Sequence, residues 1–142
     1  MFADTLLHAE QEHLLRLLVW AALSVLGGTT VFLLLTIRRL NSPLLSHFGI
    51  QMVAWGVMIA AIAGVSWRGV QMRDLSGEAR LERVVWLSVG LDIGYVATGA
   101  VLAISAWLLA KRLGGVGAGV AIVVQGLALF VLDLRFAAFI SR

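Results

Sequence analysis

The chain has no cysteine, one proline and one tyrosine, and only 13% of its residues are charged. Without thiols it can form no disulfide, thiolate metal centre or thiol nucleophile, and cysteine usage fixes no redox compartment. No serine–histidine–acid arrangement and no HExxH spacing is present, so an enzyme is not expected. Lysine is almost missing as well: Lys111 stands alone among 11 basic residues. Such reliance on arginine fits a GC-rich bacterial genome. The opening residues carry Asp4, Glu10 and Glu12 and lack the basic start and small-residue cleavage site of a secretory signal, so the first apolar helix is expected to stay in the mature chain.

What is present is apolar. Hydrophobic residues make up 61% of the 142 positions and mean hydropathy is +0.97, whereas soluble domains carry about 25% charged residues. The apolar residues fall into four blocks, 14–37, 44–67, 84–109 and 116–140. Each block is long enough for the ~20 residues with which a helix crosses ~30 Å of hydrocarbon. The fold expected is all-α: a polytopic integral-membrane four-helix bundle of two antiparallel hairpins, forming a single domain over 1–142 with no soluble domain. A net charge of +3 and a pI near 10.6 raise the question of nucleic acid, but the basic residues sit at span ends, where they meet lipid headgroups. The partner expected is the lipid bilayer, and no nucleic acid.

Local signals set the connections. Asp4 or Thr5 can cap a first helix whose opening dozen residues lie in the interface. Ser42 is a good N-cap and Pro43 a good first helical residue, so the second helix starts beside the turn after Arg38 and Arg39. "LGGVG" (113–117) supplies glycines for the end of span three and its tight turn. The connection 68–83 alternates charges and reads as a surface helix broken near Gly77. "RRL" (38–40) and "KRL" (111–113) end the odd spans and a glutamine, Gln51 or Gln125, follows each; this echo fits either a duplicated two-helix unit or chance. Four crossings put both termini and the connection 68–83 on one side, here side A, and the short turns on side B. Arg38, Arg39, Lys111 and Arg112 on side B have no acid beside them. That favours short turns in the cytoplasm of a bacterial inner membrane.

The polar residues inside the spans carry whatever function the chain has. Asp92 lies about two turns into span three from side A, and Asp133 about two turns from the side A end of span four, so antiparallel packing brings them to similar depth. Two adjacent carboxylates in hydrocarbon cannot both ionise cheaply, so one is expected to hold a proton or meet a cation. Tyr95 shares a face with Asp92, and Arg135 is the nearest counter-ion, though it points roughly opposite Asp133. His47, Gln51 and Trp55 repeat every fourth residue on span two, as do Gln125, Leu129 and Asp133 on span four. Converging, these faces form a polar column of His47, Gln51, Gln125, Asp92, Tyr95 and Asp133. It suits a proton, a cation or a small polar ligand, bound or conducted. Interhelical hydrogen bonding is the plainer reading and the favoured one for the two glutamines and His47; the two acids favour function, since helix packing alone does not require them.

Gly90, Gly94 and Thr98 make a small-residue face for helix packing or self-association, with Gly115 and Gly119 alike on span four. This face supports an alternative: a non-catalytic accessory or scaffold subunit of a larger membrane complex. His8, Glu12 and His13 read as a solvated face rather than a metal site. No two histidines from different helices fall at one level for haem, so no cofactor and no metal are expected.

The segments "HFGIQMVAWG" (47–56), "GLDIGYVATG" (90–99) and "QGLALFVLD" (125–133) resemble recurring segments of a family of small four-span bacterial membrane proteins catalogued as domain of unknown function 6992. The resemblance covers spans two to four. It implies four helices and no established activity.

Overall fold

The one proline opens a helix where the sequence puts it. Ser42 accepts a hydrogen bond from the Leu45 amide at 3.4 Å, and Pro43 is the first helical residue of α2. In this computed structural model, which describes residues 3–71 and 74–141, the helices are α1 (Ala3–Ile37), α2 (Pro43–Trp67), α3 (Leu75–Ala110) and α4 (Leu113–Ile140). The described residues contain no strand. All four helices are long and apolar enough to cross a membrane.

Two local expectations are corrected. The connection after α2 contains no separate surface helix broken at Gly77. Asp74 is instead the N-cap of α3: its carboxylate accepts from the Gly77 amide and the Ser76 hydroxyl, each at 2.8 Å. The charged segment is therefore the first turns of α3, and α1 likewise runs unbroken from Ala3, with Asp4 and Thr5 inside its first turn. At the other turn no glycine ends α3. Lys111 takes the left-handed conformation (φ 49°), as Arg39 does after α1 (φ 51°). Gly114, Gly115 and Gly117 fall in α4, where a side chain would strike His47, Ala106 and the Leu44 backbone respectively. They are needed for close packing rather than for the turn.

The two hairpins are built on one plan. A Cβ on Gly28 would lie 2.5 Å from the Gly49 carbonyl and 2.8 Å from a Val53 methyl; a Cβ on Gly99 would lie 2.7 Å from the Gly119 carbonyl and 2.9 Å from a Val123 methyl. One turn pair further on, Gly56 faces Val25 and the Ala21 carbonyl, and Gly126 faces Val96 and the Asp92 carbonyl. The backbones approach this closely only because the four glycines lack side chains. Equivalent atoms meet in both hairpins, so α1–α2 and α3–α4 share one antiparallel register. That agrees with a duplicated two-helix unit, although the matching positions are these glycines and not Gln51 with Gln125.

The hairpins join chiefly through α2 and α4, with α1 also touching α4. The backbones of α2 and α3 stay apart, and their side chains meet at Trp55 and Tyr95. A pair of hairpins that are alike thus meets unevenly, closed between α1 and α4 and open between α2 and α3. Ala21, Ile59 and Leu129 form a buried layer in mid-bundle, and Leu6, Val85, Val89, Phe136, Ala137 and Ile140 form a second core at side A.

Candidate functional site

The open seam between α2 and α3 is a cleft of about 510 Å³ toward side A, lined by all four helices. Its polar floor comes from three of them. Asp92 of α3 and Asp133 of α4 are 3% and 9% exposed, and His13 of α1 is 8% exposed. His13 lies flat on Phe136, ring centroids 4.5 Å apart at 9°, and its Nε2 stands 3.4 Å from Asp133 Oδ1. That is an ion-pair distance, yet Asp133 Oδ1 has no hydrogen-bond partner, and neither has Asp92 Oδ2 nor His13 Nδ1, all three being buried. Glu10, also buried, lines the same cleft, as does the exposed Arg80 toward side A. The aromatic wall is Trp55 against Tyr95, edge to face at 4.8 Å.

His13 belongs to this buried floor and not, as the sequence suggests, to a solvated face with His8 and Glu12. The cause is that hydropathy starts the apolar block at position 14, whereas the helix seam starts earlier. Leu6, Glu10, His13, Leu17, Ala21 and Ser24 recur at spacings of four or three, the period of a buried helix stripe. Extending that stripe back from Gly28 would have found both Glu10 and His13.

The remaining expected residues separate into other places, so there is no continuous polar column. Gln125 is fully buried and completely engaged: its Oε1 accepts from Trp20 Nε1 at 2.7 Å, and its Nε2 donates to Ser24 Oγ at 2.9 Å and approaches Met52 Sδ at 3.2 Å. This ties α4 to α1 and α2. The Ala21, Ile59 and Leu129 layer lies between it and the acidic floor. His47 is exposed at side B, where its Nδ1 lies 2.9 Å from the Pro43 carbonyl and its ring covers Gly114. Gln51 is half-buried on α2 and makes no hydrogen bond to another described residue. Arg135 is exposed and lines a separate groove with Thr5, His8 and Arg16, the last paired with Glu12. It is not among the residues of the cleft.

Gly90, Gly94 and Thr98 are exposed on α3, and nothing stands within 4 Å of a Cβ built on either glycine. They pack no helix within this chain. Among the described residues, no three His, Asp or Glu side chains group closely enough to hold a metal ion.

The shared hairpin plan gives the acids a reference. Asp92 occupies the place that Ala21 has in the first hairpin, since each offers its carbonyl to the equivalent glycine. Counting on equally from Gly56 and Gly126, Asp133 falls where the first hairpin has Ala63, itself fully buried. The same frame packs with alanines. In the same way Trp55 precedes Gly56 as Gln125 precedes Gly126, and Tyr95 precedes Val96 as Ser24 precedes Val25. The hydrogen-bonded pair Ser24 and Gln125 on the closed side thus corresponds to the aromatic pair Tyr95 and Trp55 on the open one. A small hydroxyl lets α1 approach α4, and two ring systems meeting edge to face hold α3 away from α2.

A model for a family of unknown function, DUF6992, matches residues 16–134, a range that includes Asp92, Tyr95, Gln125 and Asp133 and begins after His13. No curated protein and no solved structure matches the chain.

Proposed function

We propose that this chain, which belongs to the DUF6992 family of unknown function, is a small integral-membrane protein that binds a proton, a cation or a small polar ligand in the cleft over Asp92, Asp133 and His13. The observation that carries this reading is the set of three buried polar atoms, one on each of three helices, that have no hydrogen-bond partner, Asp133 Oδ1 having only the His13 Nε2 at ion-pair distance. A buried polar atom without a partner costs about 1–3 kcal/mol, more when charged, and alanines fill the equivalent places of the first hairpin. Packing alone therefore gives no reason to keep the acids, whereas a bound ligand does.

Binding is favoured over conduction. The apolar layer of Ala21, Ile59 and Leu129 closes the floor toward side B. A ligand therefore does not pass through to side B. In this reading the short turns, with four basic residues and no acid, face the cytoplasm of a bacterial inner membrane.

Trp55 in the cleft wall offers a local probe. With the protein in lipid nanodiscs, its fluorescence, taken as the difference from Trp55→Phe, is expected to respond to pH or to added sodium, potassium or ammonium. The response should be lost in Asp92→Asn and in Asp133→Asn. Identical titrations in wild type and both variants would overturn the site. A second reading, an accessory subunit of a larger membrane complex, is supported by the open Gly90 and Gly94 face. It predicts co-purification with a partner in mild detergent that Gly94→Leu abolishes and Asp92→Asn does not.

A further inference from the structure

The cleft is larger than a bare ion needs and is walled unlike an ion site. Its volume of about 510 Å³ is that of a pocket for a small organic molecule, commonly roughly 300–1,000 Å³. The two carboxylates do not converge with a third ligand into a metal-holding group among the described residues. Trp55 and Tyr95 line the same cleft, and aromatic rings attract a cation of diffuse charge. Above these the walls are aliphatic, with Met58 and Ile62 of α2 and Leu91 of α3 all substantially exposed at the outer edge. The opening between α2 and α3 therefore faces the same surroundings as the outer helix surfaces, which in a membrane are acyl chains.

Resting on the binding site proposed above, we infer that the occupant of this cleft is a monovalent organic cation with an apolar body, entering sideways from the lipid between α2 and α3. Among the described lining residues the buried floor holds two carboxylates, Asp92 and Asp133, with the titratable His13, while Arg80 is exposed toward side A, so the floor favours a cation. Asp92 Oδ2, buried and without a partner, is the fixed point for its charge. The apolar body lies against the aromatic and aliphatic walls. Trp55 and Tyr95 are positioning residues for the opening, since the equivalent Gln125 and Ser24 draw the other two helices together.

The test is equilibrium binding of radiolabelled tetraphenylphosphonium to the protein in nanodiscs, with protein-free discs subtracted. Saturable binding of one probe per chain is expected, weakened at least tenfold by Asp92→Asn. Tetramethylammonium, which has the charge without the body, should compete at least tenfold less well, and neutral triphenylphosphine oxide should not compete. The double variant Trp55→Gln with Tyr95→Ser, which gives the open side the residues of the closed one, should lose probe binding while Asp92 stays in place. Size exclusion and circular dichroism report whether the variants fold; should Asp92→Asn fail to fold, the competitor series on wild type decides alone. No saturable binding, or equal competition by tetramethylammonium, overturns the inference. If the sodium or pH response of Trp55 still depends on Asp92 in that event, the site stands and only the class of its occupant is wrong. If both signals are absent, the site itself is wrong.

Discussion

Gln125 and Gln51 look alike in the sequence, each an amide in an apolar span, yet the bundle treats them differently. Gln125 links Trp20, Ser24 and Met52 across two helix interfaces, and Gln51 makes no hydrogen bond to another described residue. Gln125→Leu leaves the Trp20 indole N–H with no acceptor, while Ser24 can turn back to its own helix. The expected loss is about 1 kcal/mol, between the ~0.6 kcal/mol average for interhelical bonds in membranes and the cost of an orphaned buried donor. Gln51→Leu should stay within about 0.5 kcal/mol of wild type. Unfolding of both variants in mixed detergent micelles checks the difference. Outside the spans, Asp74 gives a pH-dependent end to α3. The Gly77 amide, and then the Ser76 hydroxyl, donate to its carboxylate and hold it below the usual carboxylate range. A lowered folded value means that the folded cap binds protons less readily than the unfolded chain. The cap's contribution is therefore complete above the unfolded value of about 3.9 and is lost as pH falls through the folded one. Hydrogen-exchange protection of the Gly77 and Glu78 amides, normalised for intrinsic rates, should fall in that acid range. Asp74→Asn should show no such fall, and Asp74→Ala should lack the protection at every pH.

At the scale of the helices, close packing follows glycines seven residues apart rather than four. Gly90 and Gly94, four residues apart, suggested the close face of α3, but the faces that meet are marked by Gly49 with Gly56 and Gly119 with Gly126, seven apart. Seven residues are nearly two turns, so neighbours that recur at this interval keep one seam along a shallow crossing. A four-residue pair marks a face without saying which neighbour covers it. The consequences of substitution differ accordingly. In Gly99→Ala the new methyl would stand 2.7 Å from the Gly119 carbonyl and 2.8 Å from the Val123 amide nitrogen, both backbone atoms, so α3 and α4 must part. We expect a loss of about 1–3 kcal/mol, the usual cost of overpacking. Gly94→Ala meets open space and should be neutral or up to about 1 kcal/mol stabilising through helix propensity. Thermal unfolding in the same detergent separates the two. A clear loss at Gly94 would mean that another chain covers that face, and would favour the accessory-subunit reading.

For the molecule as a whole, the spans were legible because hydropathy over twenty residues is a strong signal, and the shared level of Asp92 and Asp133 followed from counting turns inward from side A. The cleft was not legible. It arises from the difference between two like hairpins, the aromatic pair on one side and Ser24 with Gln125 on the other, and that difference is visible only once the equivalent positions are aligned by contact. The like-directed hairpins also fix a relation between ends: the start of α1, the end of α4 and the facing ends of α2 and α3 lie at side A, and both short turns at side B. A chain without cysteine allows this to be read with single introduced thiols. Asn41 in the first turn and Gln71 after α2 are both exposed. In spheroplasts treated with a membrane-impermeant maleimide, Gln71→Cys should be labelled directly, and Asn41→Cys only after the membrane is opened. The reverse pattern would put the short turns outside, contrary to the orientation proposed from their four basic residues, and would move the mouth of the cleft to the cytoplasmic side. Equal labelling of both from one side would contradict an odd number of crossings between positions 41 and 71, and the four-span bundle would fall with it, because α2 alone connects those positions.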